Sequence, residues 1–273
     1  MKIKTHFSPE NTFLNGQCFR WNKKGDYFEG IVDARLLRVE KKSEYLIIEG
    51  LDEKELPRMQ HYLGFEEGLK EKERQIAQID SVMEAAVFHG KGMHLLRQDP
   101  FETLISFIIS SNNHISRIKG LVEKLAVNYG QEIDQGYYSF PGAQALARAS
   151  IEDLRALGLG YRDKYVLDGA KQVAQGKVDL ASLYSLNTSL GIKELEKIKG
   201  VGKKVASCVL LFAFGKGDSF PVDTWIKKAL TTHYPEEISK YPDVDTFLSE
   251  YFGKEAGLAQ QYLFHYMRTG RKE

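Results

Sequence analysis

Cysteine is scarce in this chain: Cys18 and Cys208 are the only two among 273 residues. Two thiols are too few for a disulfide framework, a four-cysteine metal site or a cysteine-held iron–sulfur cluster. An excess of either charge is also missing. Lysine plus arginine total 38 and aspartate plus glutamate 37, so any affinity for a polyanion must come from a local patch. No apolar run reaches the ~18 residues of a membrane span. The opening "MKIKTHFSPE" lacks the apolar core of a secretory signal. Internal repeats, low-complexity tracts and long linkers are absent as well. What remains is the expectation of a reduced, soluble, intracellular protein with no membrane partner.

The chain divides by pattern. Residues 1–56 read as β-structure, with "YFEGIVDARLLRVEKKSEYLIIEG" made of short β-rich runs broken by charged or glycine-containing turns. From about residue 57 the spacing becomes helical. "LKEKERQIAQIDSVMEAAVFH" reads as helix, and Asp99-Pro100 opens another as N-cap and first helical residue. That run is interrupted at "SSNN" and stops at Gly130. Shorter helices follow at "AQALARAS", "SIEDLRALG", "RDKYVLDGAKQVAQG", "SLGIKELEKI", "DTFLSEYFG" and "GLAQQYLFHYMRTG". The expected fold class is α+β: a small N-terminal antiparallel sheet domain with a linking helix over 1–91, then a mostly helical region over 92–273.

Within the helical region, "IKGVGKKVASC" stands out. Val205, Cys208, Val209 and Phe212 follow i, i+3, i+4, i+7 spacing and share one face. At about 100° per residue, Lys203 lies opposite that face and Lys204 at its edge. The two neighbours therefore sit in different environments: Lys203 toward solvent or a polyanion, Lys204 where a cleft can hold it. The preceding "KGVG" makes a tight turn whose Gly200 and Gly202 are free to adopt positive φ. The helix start adds unpaired N–H groups and a positive dipole end, a site for a backbone phosphate. An ordinary helix–helix turn has the same composition. The helix start also disfavours an ammonium ion, so a partly desolvated Lys204 is a candidate nucleophile. Downstream, Asp223 in "FPVDTWIKKAL" reads as an N-cap, or as a fixed carboxylate that stabilises developing positive charge.

The hairpin "LEKIKGVGKKVASCVLLFAFG" (about 192–214) followed by "FPVDTW" resembles the helix-hairpin-helix (HhH-GPD) DNA glycosylase superfamily. "NGQCFRW", "SSNNHISRI", "LGLGYRDKYV" and "GLAQQYLF" are similar to the corresponding segments of the 8-oxoguanine DNA glycosylase/AP lyase family, and the similarity runs from about residue 8 to 268. The resemblance implies a bifunctional enzyme of base excision repair on double-stranded DNA. In it Lys204 attacks C1′ of a flipped 8-oxoguanine nucleotide opposite cytosine, a Schiff base forms, and β-elimination nicks the strand. Asp223 would stabilise the oxocarbenium-like transition state.

The resemblance also implies the remaining site residues. Gly16 would offer a backbone carbonyl to the N7–H that 8-oxoguanine has and guanine lacks; guanine would leave that acceptor unpaired at ~1–3 kcal/mol. Cys208 and Phe264 would sandwich the purine, and Gln260 would bond its Watson–Crick edge. Tyr161 would wedge into the stack, Asn112 with Asn113 would fill the gap, and Arg117 and Arg162 would read the orphaned cytosine. The residues alone leave plainer readings open: core packing for Cys208 and Phe264, a turn for Gly16, a helix cap for Asn112-Asn113, a surface loop for Tyr161-Arg162.

No cofactor is required by the family. Its hairpin often holds a structural monovalent cation on backbone carbonyls, here those of Glu196, Ile198 and Val201. Three positions depart from the family pattern: Lys199 replaces a common Pro, His114 a third Asn, and Trp225 a His of eukaryotic relatives. An indole donates one hydrogen bond and takes no charge, so Trp225 offers a phosphate no counter-charge. Two rival readings are an alkylated-base glycosylase, which lacks the lysine, and a non-catalytic DNA-binding module, which needs neither Lys204 nor Asp223. A monomer in the cytoplasm or nucleoid of a prokaryote completes the expectation.

Overall fold

The computed structural model describes residues 1–65 and 68–270. Its first part is a five-stranded antiparallel sheet of β1 (Lys2–Lys4), β2 (Trp21–Lys24), β3 (Tyr27–Val32), β4 (Arg35–Lys42) and β5 (Tyr45–Glu49), ordered β1-β5-β4-β3-β2. Phe28, Val39 and Ile48 lie opposite one another across β3, β4 and β5, so the alternating apolar positions fall on one buried face. Gly30 faces Trp21; a Cβ there would lie 2.3 Å from the indole. The space goes to Trp21, which stacks on Phe13 at 4.0 Å. Phe13 belongs to a helix, α1 (Pro9–Phe13), inside the stretch expected to be β-structure. Ser8 caps it by accepting the Asn11 N–H at 3.2 Å, with Pro9 at the first turn.

The helices are α2 (Leu56–Tyr62), α3 (Leu69–Ala77), α4 (Ser81–His89), α5 (Pro100–Ser110), α6 (Ile115–Tyr129), α7 (Ala143–Leu146) and α8 (Ile151–Ala156). After them come α9 (Asp163–Ala174), α10 (Thr188–Leu195), α11 (Lys203–Phe212), α12 (Thr224–His233), α13 (Pro235–Ile238), α14 (Val244–Phe252) and α15 (Ala256–Thr269). A short hairpin, β6 (Glu132–Asp134) with β7 (Tyr137–Tyr138), fills the gap after α6. The single helix expected over 69–89 is in fact two. Asp80 accepts the Met83 N–H at 2.8 Å and the Tyr251 hydroxyl at 2.9 Å, so its side chain starts α4 afresh.

Two cores build the helical region. One gathers α5, α6, α9 and α11 around residues such as Ile105, Val166 and Leu210. The other packs α3 and α4 against α12, α14 and α15 through Ile76, Met83, Phe247 and Tyr262. The linking helix expected with the sheet is here α3 and α4, which bury their apolar faces among the C-terminal helices. The sheet closes its own core with Met59, Leu63 and Leu96. Gln17 fastens sheet to helices. Its side chain donates to the carbonyls of Thr12 (3.0 Å) and His94 (2.8 Å) and accepts from the Leu96 N–H at 2.8 Å. A fully buried amide with these partners satisfied holds the 15–18 stretch in one place.

His265, buried on α15, lies 5.0 Å from the His89 ring. Burial first, then the charges of His89 and Arg268, pushes its pKa down to about 4. It stays neutral in the folded chain, whereas the unfolded chain takes up a proton below ~6.5. Stability is therefore lost as pH falls from the unfolded value toward the folded one. Between about pH 7 and pH 5, His265→Gln should remove about 1 kcal/mol of the pH-dependent loss, allowing for partial solvent screening. Urea unfolding at the two pH values measures it; an unaltered pH slope in the variant counts against the assignment.

Candidate active site

A cavity of about 910 Å³ opens where the turn at Gly16, the end of α5, the 200–204 hairpin, the start of α12 and one face of α15 converge. Gly200 has φ +82°, and a Cβ there would meet the Tyr165 ring at 2.4 Å. Its positive φ and this close approach both demand glycine. Gly202 differs from expectation. It is extended (φ −107°, ψ −178°) and is the N-cap of α11. Lys199 uses the N–H that a proline would lack, donating it to Asp168 Oδ2 at 2.9 Å.

The two lysines part as helical phase requires. Lys203 is exposed and its ammonium pairs with Asp245 at the start of α14. Lys204 is half-buried. Its Nζ donates to Ser110 Oγ at 3.3 Å and lies 5.2 Å from the centre of the Phe107 ring. One turn on, Cys208 is buried, and burial pushes its thiol pKa up, against the opposing charge of Lys204. Asp223 also bears on that thiol, raising it further, and the amine and the carboxylate both line the cavity.

Asp223 is the N-cap of α12: its Oδ1 accepts the Ile226 N–H at 2.8 Å. It also lines the cavity, with Trp225 beside it. The cap and the fixed carboxylate are one arrangement, because the helix start holds the side chain in a single place.

The far wall is apolar with a few aimed polar groups. Gly16 has φ +86°, and a Cβ there would lie 3.2 Å from Ile115 and 3.5 Å from Phe264. Gln260 is buried, and its Oε1 has no hydrogen-bond partner among the described residues. An unpaired buried amide oxygen beside a cavity is a vacancy for a donor. Phe264 is half-buried next to it. Arg268, absent from the sequence reading, completes this wall with its guanidinium 5.7 Å from the Phe264 ring centre. The i, i+4, i+8 series 260, 264, 268 on α15 was the signal that would have found it.

The cavity thus brings together Lys204, Asp223, Gly16, Cys208, Gln260, Phe264, Asn112, Asn113, Gly200, Gly202, Lys203 and Trp225. Arg117, Tyr161 and Arg162 stand outside its lining. Asn112 is exposed at φ +50°, a conformation asparagine tolerates. Asn113 behaves as a turn residue, donating to the Ile109 carbonyl at 3.2 Å and accepting the His114 N–H at 3.1 Å. Arg117 is exposed and donates to the Gly158 carbonyl at 3.3 Å. Tyr161 is 50 % exposed. Arg162, expected to face a base, is buried. Its Nε and Nη2 donate to the Ser111 carbonyl at 2.9 and 2.5 Å, and Nη2 also to the Asn112 carbonyl at 3.0 Å. Here it ties the 111–112 turn to the 159–162 turn, because two carbonyls converge where its fork can reach both.

One cavity thus holds an amine, a carboxylate, an unpaired amide oxygen and a half-buried aromatic ring: groups that can attack carbon, balance a growing positive charge and hold a flat polar ring. The family model for the 8-oxoguanine DNA glycosylase N-terminal domain matches residues 1–104, and that for HhH-GPD superfamily base excision DNA repair proteins matches residues 105–254. N-glycosylase/DNA lyase OGG1 of Arabidopsis thaliana is 30% identical over 93% of this chain and 75% of its own length. A structure of MBOgg1 with a low-affinity DNA ligand superposes with TM-score 0.93 at 34% identity, covering 99% of this chain and 96% of that one. The Clostridium acetobutylicum 8-oxoguanine glycosylase/lyase, bound to duplex DNA with cytosine opposite 8-oxoguanine, gives TM-score 0.91 at 33% identity over 99% and 97%. With both family models matched in order along one chain, and with relatives covered over most of their length, this chain belongs to the 8-oxoguanine DNA glycosylase family of the HhH-GPD superfamily.

Proposed function

We propose that the cavity receives an 8-oxoguanine nucleotide flipped out of duplex DNA opposite cytosine, and that Lys204 is the nucleophile. The chain is a DNA N-glycosylase with AP lyase activity, acting in base excision repair. The observation that carries the assignment is the placement of the Lys204 amine, half-buried over Phe107, in the same cavity as Asp223 and the unpaired Gln260 oxygen. Lys204 Nζ forms a bond to C1′ as the C1′–N9 bond breaks, and the base leaves with that electron pair. Asp223 stabilises the positive charge that grows on the sugar. Loss of a proton from Nζ and ring opening give an imine. The imine acts as an electron sink for removal of a C2′ proton, and the 3′ phosphate departs.

At the base end, the Gly16 carbonyl accepts the N7–H of the lesion, Gln260 takes a donor on the Watson–Crick edge, and Cys208 and Phe264 cover the two faces of the ring. Tyr161 and Asn112 occupy the stack that the base has left. Gly200 and Gly202 let the backbone approach a phosphate at the start of α11, where Lys203 exchanges Asp245 for that phosphate. The neutral carbonyl oxygens of Glu196, Ile198 and Val201 suit a monovalent cation; the Ile198 carbonyl accepts the Val201 N–H at 3.0 Å and retains a second lone pair.

Arg117 presents donors to cytosine O2 and N3. Arg117→Ala should lower the preference for cytosine over other opposite bases by about tenfold, the discrimination of one good base contact. Single-turnover excision across the four opposite bases measures this; an unchanged preference rules out the assignment.

A further inference from the structure

The reading of Gly16 as the group that senses the lesion raises the question of what holds its carbonyl still. The answer lies on α15. Arg268 Nη2 donates to the Leu14 carbonyl at 2.6 Å, and Gln261 Nε2 donates to the Asn15 carbonyl at 3.3 Å. Carbonyls 14 and 15 are thus both tied to α15, while that of Gly16, the next in line, accepts no hydrogen bond among the described residues. The same helix carries Gln260 and Phe264, two of the other three groups on the base. Fixing the 14–16 backbone to α15 fixes the spacing between the acceptor and those groups.

Packing alone does not account for Arg268. Its Nε is buried without a partner among the described residues, a cost that an apolar side chain of similar length would avoid. Gly16 itself sits at φ +86° and has no side chain to anchor it, so the restraint must come from neighbours. We infer that Arg268, assisted by Gln261, is a positioning residue for lesion recognition: it clamps the Leu14–Gly16 backbone to the helix that bears Gln260 and Phe264. The inference rests on the proposed role of Gly16.

A misplacement of the acceptor by a fraction of an ångström weakens the base contact but leaves the chemistry at Lys204 untouched. The test therefore compares two duplexes, one with 8-oxoguanine opposite cytosine and one with a preformed abasic site opposite cytosine. Arg268→Met should lower single-turnover excision of 8-oxoguanine about tenfold. Its nicking of the abasic site, which has no base to position, should stay within about twofold of wild type. Arg268→Lys, which restores one donor, should recover part of the excision rate, and Gln261→Met should act in the same direction as Arg268→Met. An excision rate unaffected by Arg268→Met overturns the inference. So does a parallel loss of both activities, which would mark Arg268 as a general support of the fold. Guanine excised by the wild type as readily as 8-oxoguanine would instead remove the role of Gly16, while the variant ratio would still decide on Arg268.

Discussion

Lys204→Gln will form no borohydride-stable adduct with duplex containing 8-oxoguanine opposite cytosine, and excision will fall by about four orders of magnitude or more. Glutamine keeps much of the reach and the polarity of lysine. Its amide has no basic lone pair to give to carbon and cannot make an imine. The position tolerates the change, since Lys204 is half-buried and its amine bonds only side chains, those of Ser110 and Cys208, which a glutamine amide can also reach. The variant should therefore melt near the wild-type temperature, which separates lost chemistry from lost fold. Lys203 cannot substitute. It is about 100° away around the helix, and its ammonium is exposed and paired with Asp245. Lys203→Gln should accordingly keep the adduct and weaken only the affinity for duplex, with a shallower salt dependence. An adduct that persists in Lys204→Gln and disappears in Lys203→Gln would reverse the two roles.

That separation of neighbours was legible from sequence because helical phase is set by backbone geometry alone. The short β-rich runs of the sheet were legible as well, but not the register that sets Phe28, Val39 and Ile48 side by side on one face. What was hidden depends on groups distant in sequence. The break at Asp80 is decided by a cap and by the hydroxyl of Tyr251, and a short apolar pattern runs straight across it. The inward turn of Arg162 depends on the 111–112 carbonyls presenting themselves together. Arg268 has a helical spacing that fits a surface residue equally well; the Leu14 carbonyl that accepts its Nη2 is brought near by the fold and not by the sequence. The catalytic assignments came through resemblance, and the geometry adds to them by placing Lys204, Asp223 and Gln260 in one cavity.

Asp223 tests whether cap and chemistry can be pulled apart. Asparagine is as good an N-cap as aspartate, because it too offers a side-chain oxygen to the N–H groups of the first turn. Asp223→Asn should thus keep the bond to Ile226 and the stability of α12, and lose only the negative charge. Without that charge the growing cation on the sugar has no fixed counterpart, and excision should fall by about 10²–10³-fold. Asp223→Ala should lose the charge and the cap together. Excision falls at least as far, and the chain also loses about 1 kcal/mol of stability, which lowers the melting temperature by ~2–4 °C in a chain of this size class. Asp223→Ser restores the cap without the charge, so it should regain the melting temperature and none of the activity. Binding to duplex should hold or tighten in all three, since a carboxylate near the phosphates is removed. Near-wild-type excision by Asp223→Asn would reduce Asp223 to a cap. Equal stability of the Asn and Ala variants would leave it a carboxylate whose place the helix start does not determine.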